Sequence, residues 1–180
     1  MKPWVTLARR KVLDHAPYLT VEMHTVRLPD GRVIPDWPWV ITPDFVTIVA
    51  ETVEGRFLCF RQTKYALKRP SLAMVGGFIE PGEPPRTAAR RELLEETGHT
   101  AATWTSLGRY VVDGNRGAGT AYFFLARGVC LRRPPTGGDL EEQELLFLTR
   151  KEMQEALEKN KFRSLTWASI VALALNRLGR

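Results

Sequence analysis

The spacing of hydrophobic and polar positions changes along this chain, and the changes mark out its elements. Val5 to Leu13 and Tyr18 to Leu28 carry alternating and β-branched residues, which predict two strands. Pro29-Asp30-Gly31 has turn chemistry, and Arg32 to Ile41 runs on as a third strand. Thr42-Pro43-Asp44 then punctuates the chain. We place there the boundary between an N-terminal β-element, residues 1–42, and a main domain, residues 43–180. Phe45 to Glu51 and Phe57 to Arg61 read as a hairpin around Val53-Glu54-Gly55. A helix is predicted in the stretch after Gly82, and Ala102 to Val112 and Gly119 to Leu131 are further strands. Arg132 to Gly138 reads as a loop, and Leu145 to Leu148 as a strand. Thr149 and Glu152 have capping-box spacing ahead of Met153, Ala156 and Leu157, so a helix starts there. Ser164 is positioned to cap a last amphipathic helix through Leu175. The pattern is α+β: a mixed sheet, one helix in mid-chain and two at the C-terminus.

Composition narrows the class. A chain of 180 residues that is 44% hydrophobic can bury a sizeable core. The net charge of +6 favours anionic ligands, but the basic residues are dispersed and no RNA-binding motif is visible, so a nucleic-acid partner is not expected. Cys59 and Cys130 lie far apart in apolar runs and read as buried free thiols. The N-terminus has no apolar signal-like centre, and the longest apolar run, Ile170 to Leu175, is too short to cross a bilayer. A reducing cytoplasm is the expected compartment.

The chemistry concentrates between Gly77 and His99, GFIEPGEPPRTAARRELLEETGH. On a helix Glu92 and Glu96 share a face, and Glu95 lies three residues from Glu92, so the three carboxylates fall within an arc of roughly 100°. Such a hard, oxygen-rich patch suits Mg2+, with Mn2+ as a substitute, and does not suit zinc. Mutual repulsion among the acids should raise the pKa of at least one of them when no cation is bound. Arg91 sits among them as an orienter, and Glu83 with Arg91 can pin the turn to the helix.

Gly77, Glu83, Arg91, Glu92, Leu93, Glu95, Glu96 and Gly98 stand in the register of the Nudix box, and the stretch strongly resembles that motif. One position departs: His99 stands where an aliphatic residue is usual, which touches packing and not catalysis. The resemblance implies the Nudix α/β/α sandwich and metal-assisted hydrolysis of a diphosphate linkage. Glu92 and Glu96 would then hold the metal, with Glu95 sharing a second ion or positioning water, and the Gly76 carbonyl as a further ligand. The order of elements is similar to the ADP-ribose pyrophosphatase and nucleoside-diphosphate-sugar hydrolase branch. In that branch the N-terminal β-element commonly crosses to a second subunit, which implies a homodimer.

Other segments match in part. Asp139-Leu140-Glu141-Glu142-Gln143-Glu144 occupies the place where relatives carry a distal metal ligand or a general base; Glu141 and Glu142 are the candidates, with Asp139 and Glu144 behind them. Phe60-Arg61-Gln62 with Lys64-Tyr65 looks like the stretch whose cation approaches the diphosphate. In SLAMVGG, Ala73 and Val75 replace the usual Glu and Pro. Neither subgroup mark is present beyond the box: Asn115 stands where ADP-ribose pyrophosphatases carry proline, and Arg116 where dinucleoside polyphosphate hydrolases carry tyrosine. Asn115 and Arg116 can read sugar or phosphate oxygens, and Trp37 or Trp39 can stack on a base. The substrate expected is a small nucleoside diphosphate derivative such as ADP-ribose or a nucleotide sugar. The alternatives are a non-catalytic nucleotide or ADP-ribose binding module, and a hydrolase of RNA ends or dinucleoside polyphosphates. Retention of all four box carboxylates argues against the binding module.

Overall fold

The computed structural model describes residues 1–136 and 142–179, and within it the chain forms two compact units. The first comprises Met1–Asp44 and Tyr110–Ala121. Its strands β1 (Val5–His15), β2 (Leu19–Arg27) and β3 (Val33–Ile41) form an antiparallel meander. The turn at Pro29-Asp30-Gly31 is closed by bonds from Leu28 N to Arg32 O and from Gly31 N to Leu28 O. Every residue of β1 is exposed, and in β2 only His24 and Val26 are buried. The meander therefore has almost no core of its own. Residues 110–121 join it through the parallel pairing of Val40 with Gly117, a grouping that the sequence pattern did not indicate.

The second unit, Phe45–Arg109 and Tyr122–Arg180, carries the core. Strands β4 (Phe45–Thr52) and β5 (Phe57–Gln62) form the expected hairpin, and β6 (Ser71–Ala73) pairs with β5. Helix α1 runs over Pro85–Thr97. Pro85 fits its first turn, where an N–H would have no partner anyway. Gly98 ends it in the left-handed conformation at φ 73°, its N–H bonded to Leu94 O. Strands β7 (His99–Asp113) and β8 (Gly117–Leu131) pair with each other, and β9 (Gln143–Leu148) lies antiparallel along the whole of β5. Helix α2 (Arg150–Glu158) opens with the reciprocal Thr149–Glu152 capping box. Helix α3 (Leu165–Arg177) has Ser164 at its N-cap, but the Ser164 side chain makes no capping bond.

Packing follows burial. Ala88, Ala89 and Leu93 of α1 meet Val46, Ile48, Ala50, Leu58, Phe60, Val75 and Phe124 in one cluster. Leu93 is fully buried there, worth roughly 1.5–3 kcal/mol of apolar transfer. Ile170, Val171 and Ala174 of α3 are buried as well, and both α1 and α3 pack on β4. Helices thus cover a mixed sheet on both sides, the α/β/α sandwich. Among the described residues no helix is long and apolar enough to cross a membrane. Both cysteines are free; Cys59 is buried, whereas Cys130 is only half-buried. Burial pushes the Cys59 thiol up to about 12.

Candidate active site

A cleft of about 540 Å³ opens in the second unit, lined by Glu92, Glu95 and Glu96 of α1, Gly76 and Gly77, Lys64 after β5 and Gln143 at the start of β9. The core anchors the acids: Leu93 locks α1 against β4, which turns the neighbouring carboxylates toward the glycine segment. That segment comes very close. Bonds from Ile48 N to Val75 O at 2.8 Å and from Val46 N to Gly77 O at 2.9 Å skip the Gly76 carbonyl. The Gly76 N–H donates to Glu96 Oε2 at 3.0 Å. A Cβ on Gly76 would overlap Val46 O, and one on Gly77 would fall inside the Glu92 carboxylate. Gly76 is required by close approach to backbone, whereas a side chain at Gly77 would force the Glu92 carboxylate to move.

Arg91 organises the acids from behind. Its Nε and Nη2 donate to Glu83 Oε1 and Oε2 at 3.1 and 3.0 Å, a two-pronged grip. Nη1 reaches Glu92 Oε1 at 2.8 Å and Glu95 Oε2 at 3.2 Å, and Nη2 also bonds Phe78 O at 3.0 Å. Arg91 does not line the cleft. Its bonds to Glu83, then to Glu92 and Glu95, hold its charge more firmly than usual. Glu83 is held below the ordinary carboxylate range by Arg91 and by the Glu80 N–H. Glu92 is pushed the other way. Burial is the main cause, Arg91 opposes it, and repulsion from Glu95 and Glu83 comes last. The expected raised carboxyl is present, but desolvation outweighs the mutual repulsion from which it was anticipated.

Among the described residues no three His, Cys, Asp or Glu side chains are gathered so as to hold a metal ion alone. The donor set still fits magnesium, which takes one or two carboxylates and completes its shell with water and substrate phosphates. Glu92 and Glu96 would supply the carboxylates, and the Gly76 carbonyl, passed over by the ladder, would be a further oxygen.

The other sequence-predicted residues are distributed as follows. Lys64 lines the cleft. Arg61 is exposed on β5 and pairs with Glu144 on β9 at 2.5 Å. Glu142 is exposed, and Glu141 and Asp139 lie outside the described residues. Trp37, Trp39, Asn115 and Arg116 belong to the first unit and have partners there. Trp37 donates to Asn115 O at 2.8 Å and packs edge-on against Trp4. Trp39 stacks on His24 at 5.5 Å. Asp113 Oδ1 accepts from the backbone N–H groups of Asn115 and Arg116, and Oδ2 accepts from the Arg116 side chain. His99, at the departing box position, is buried, bonds Thr97 O through Nδ1 at 2.7 Å and packs on Phe147. Cleft residues that the sequence did not single out include Phe78, Thr166 and Trp167. The last two enter at the start of α3, whose spacing announced a helix but not the direction of its first turn.

The second unit thus presents an acid-lined cleft closely approached by glycine backbone. The chain belongs to the Nudix family: residues 42–173 match the NUDIX domain. It is a Nudix pyrophosphohydrolase of the ADP-ribose pyrophosphatase-like branch, and residues 4–40 match the nucleoside diphosphate sugar hydrolase N-terminal domain. It is 26% identical over 153 residues to the ADP-ribose pyrophosphatase of Bacillus subtilis (strain 168), covering 85% of this chain and 80% of that protein. It is 27% identical over 138 residues to the methanol dehydrogenase activator of Bacillus methanolicus, covering 77% and 73%. A crystal structure of an ADP compounds hydrolase superposes with a TM-score of 0.81 at 22% identity, covering 100% of this chain and 98% of that one, and shows the same fold.

Proposed function

We propose that the chain hydrolyses the diphosphate linkage of a nucleoside diphosphate derivative, ADP-ribose or a nucleotide sugar, with Mg2+ as cofactor and Mn2+ as substitute. One observation carries the reading. Glu92 is a desolvated carboxyl in an open cleft, beside Glu95, Glu96 and Lys64, with Arg91 serving it only from behind. Keeping this partly buried carboxyl ionised is unfavourable unless a cation shares the cleft. The names of the relatives, an ADP-ribose pyrophosphatase and an ADP compounds hydrolase, support the substrate class.

When bound, magnesium supplies neutralisation of diphosphate charge and a more acidic water. The side chains of the chain do the rest. Glu92, Glu96 and the Gly76 carbonyl hold the ion, and Glu95 positions water. Arg91 fixes the angle at which Glu92 and Glu95 are presented. Lys64 draws the diphosphate into the cleft. A carboxylate of the acidic loop, Glu141 or Glu142, takes the proton of the attacking water. Trp37, Trp39, Asn115 and Arg116 contact the nucleoside or sugar. Residues 1–42 form a dimerisation element and 43–180 the hydrolase domain, in a homodimer whose N-terminal element completes the partner's cleft. The exposed Trp4, Val5, Leu7, Val12 and Leu13 support that assembly. The two free thiols support a reducing cytoplasm.

The test is a metal-dependent phosphate-release screen across ADP-ribose, nucleotide sugars, dinucleoside polyphosphates and nucleoside triphosphates. Hydrolysis of the first two classes, dependent on magnesium and lost in Glu96→Gln, is expected. Tight binding of ADP-ribose without turnover at any metal concentration would move the chain to the binding modules.

A further inference from the structure

Two amide oxygens in the second unit, Oε1 of Gln62 and Oε1 of Gln143, are buried and accept no hydrogen bond from the described residues. They are ladder neighbours. Gln62 is the direct antiparallel partner of Gln143 on β5 and β9. One step along the same ladder, Arg61 and Glu144 face each other and form an ion pair on the exposed side. Side chains alternate along a strand, so Gln62 and Gln143 project together from the opposite, inward side. Directly opposed residues place their Cβ atoms about 4.5–5.5 Å apart, so Gln62 lies directly behind Gln143, the member of the pair that lines the cleft. Gln62 is 6% exposed, whereas Gln143 is half-buried and lines the cleft.

Desolvating a carbonyl acceptor without a partner is unfavourable, and two side by side compound the cost. The arrangement calls for a hydrogen-bond donor delivered from the cleft. Diphosphate oxygens carry no proton at neutral pH and are acceptors only, so the diphosphate itself cannot satisfy the pair. A neutral amide also avoids adding to the negative charge of Glu92, Glu95 and Glu96, which a carboxylate at this place would do. The group that matches is a hydroxyl of the sugar attached beyond the diphosphate.

We propose that Gln143, backed by Gln62, is a specificity-determining residue that accepts a hydrogen bond from a sugar hydroxyl on the substrate. The proposal rests on the diphosphate-hydrolase reading above and adds to it a reason why sugar-bearing diphosphates are preferred. A site built to bond a hydroxyl discriminates strongly against an analogue that lacks it, because its own buried polar atoms are then left unpaired.

The experiment compares ADP-ribose with an ADP alkyl ester that has no hydroxyl beyond the diphosphate, using wild type and Gln143→Leu. Wild type should favour ADP-ribose in kcat/KM. Gln143→Leu should lose about tenfold or more on ADP-ribose, and little on the alkyl ester, so that the preference collapses. Gln143→Met, closer in shape, should behave alike, and circular dichroism and melting of both variants report folding. Equal losses on both substrates that are relieved by raising magnesium would make the donor a metal-bound water and overturn the proposal. An unchanged preference in both folded variants would overturn it too. Failure of the underlying reading looks different: wild type would then hydrolyse neither compound.

Discussion

Arg91 holds Glu83 through two parallel hydrogen bonds, Nε to Oε1 at 3.1 Å and Nη2 to Oε2 at 3.0 Å. The pair ties the turn before α1 to the helix, because Glu83 also accepts from the Glu80 N–H at 3.2 Å. Only a planar guanidinium can make this grip and still reach Glu92 and Glu95 with its third nitrogen. Arg91→Lys should therefore keep the charge and lose the geometry. The expected result is a fall in kcat of about ten- to a hundredfold with a modest drop in melting temperature.

The same pair sets a pH dependence. Glu83 has its pKa lowered in the folded chain, mainly by Arg91. A lowered carboxyl stabilises the fold at pH values above its unfolded pKa, about 4.3, and that contribution is lost as pH falls through the folded value. Glu92 is raised, mainly by burial, so its ionisation opposes folding above the ordinary range. Glu83→Gln should thus be less stable than wild type at neutral pH, and the gap should close in acid. Glu92→Gln without metal should be at least as stable as wild type at neutral pH, while its activity is lost. Melting curves between pH 3 and pH 7, at roughly unit intervals, check both signs.

The close approach of Gly77 to Glu92 predicts a steric effect on catalysis. A methyl group there would displace the Glu92 carboxylate. Gly77→Ala should lower kcat by about a hundredfold while the core, which does not include Gly77, stays folded. Gly114→Ala, at a loop glycine with open space around it, should change neither stability nor rate. Steady-state kinetics of the two variants, with melting temperatures alongside, settle the comparison.

The acidic loop should act on turnover more than on binding. A carboxylate near a diphosphate repels it, so removing one leaves affinity unchanged or tighter. Neighbouring acids can substitute for each other, and a double change is needed. Glu141→Gln with Glu142→Gln should lower kcat by at least about a hundredfold, in keeping with general-base contributions. Equilibrium binding of ADP-ribose without turnover should change little. Normal turnover would pass the role of base to Asp139 or Glu144.

The N-terminal meander offers a test of assembly. With every residue of β1 exposed and apolar side chains among them, the element is marginal alone. A chain beginning at Asp44 should lose the dimer, judged by light scattering, and most of its activity. A soluble, monomeric and fully active truncation would refute the dimer reading.

Much of the chain was legible before any coordinates. The Gly77–Gly98 register announced α1, its glycine approach and the acid face, because a box of this kind encodes local geometry: turn, helix phase and cap. The Thr149–Glu152 capping box, with both partners within one turn, was equally readable. Pairings between distant segments were not. Nothing in the period of β5 said that Gln62 would face Gln143, or that the tip at Tyr110–Ala121 would join residues 1–44. The short strand β6 was missed because three residues carry too little alternation to register.

The sequence by itself determined the family, the fold class and which carboxylates share a helix face, since each depends on residues a few positions apart. Only the tertiary structure decided that burial outweighs repulsion at Glu92, that Arg91 works from behind the acids, and that Arg61 pairs with Glu144. Desolvation and cross-strand register depend on what packs against a residue from elsewhere in the chain, and linear spacing does not carry that information.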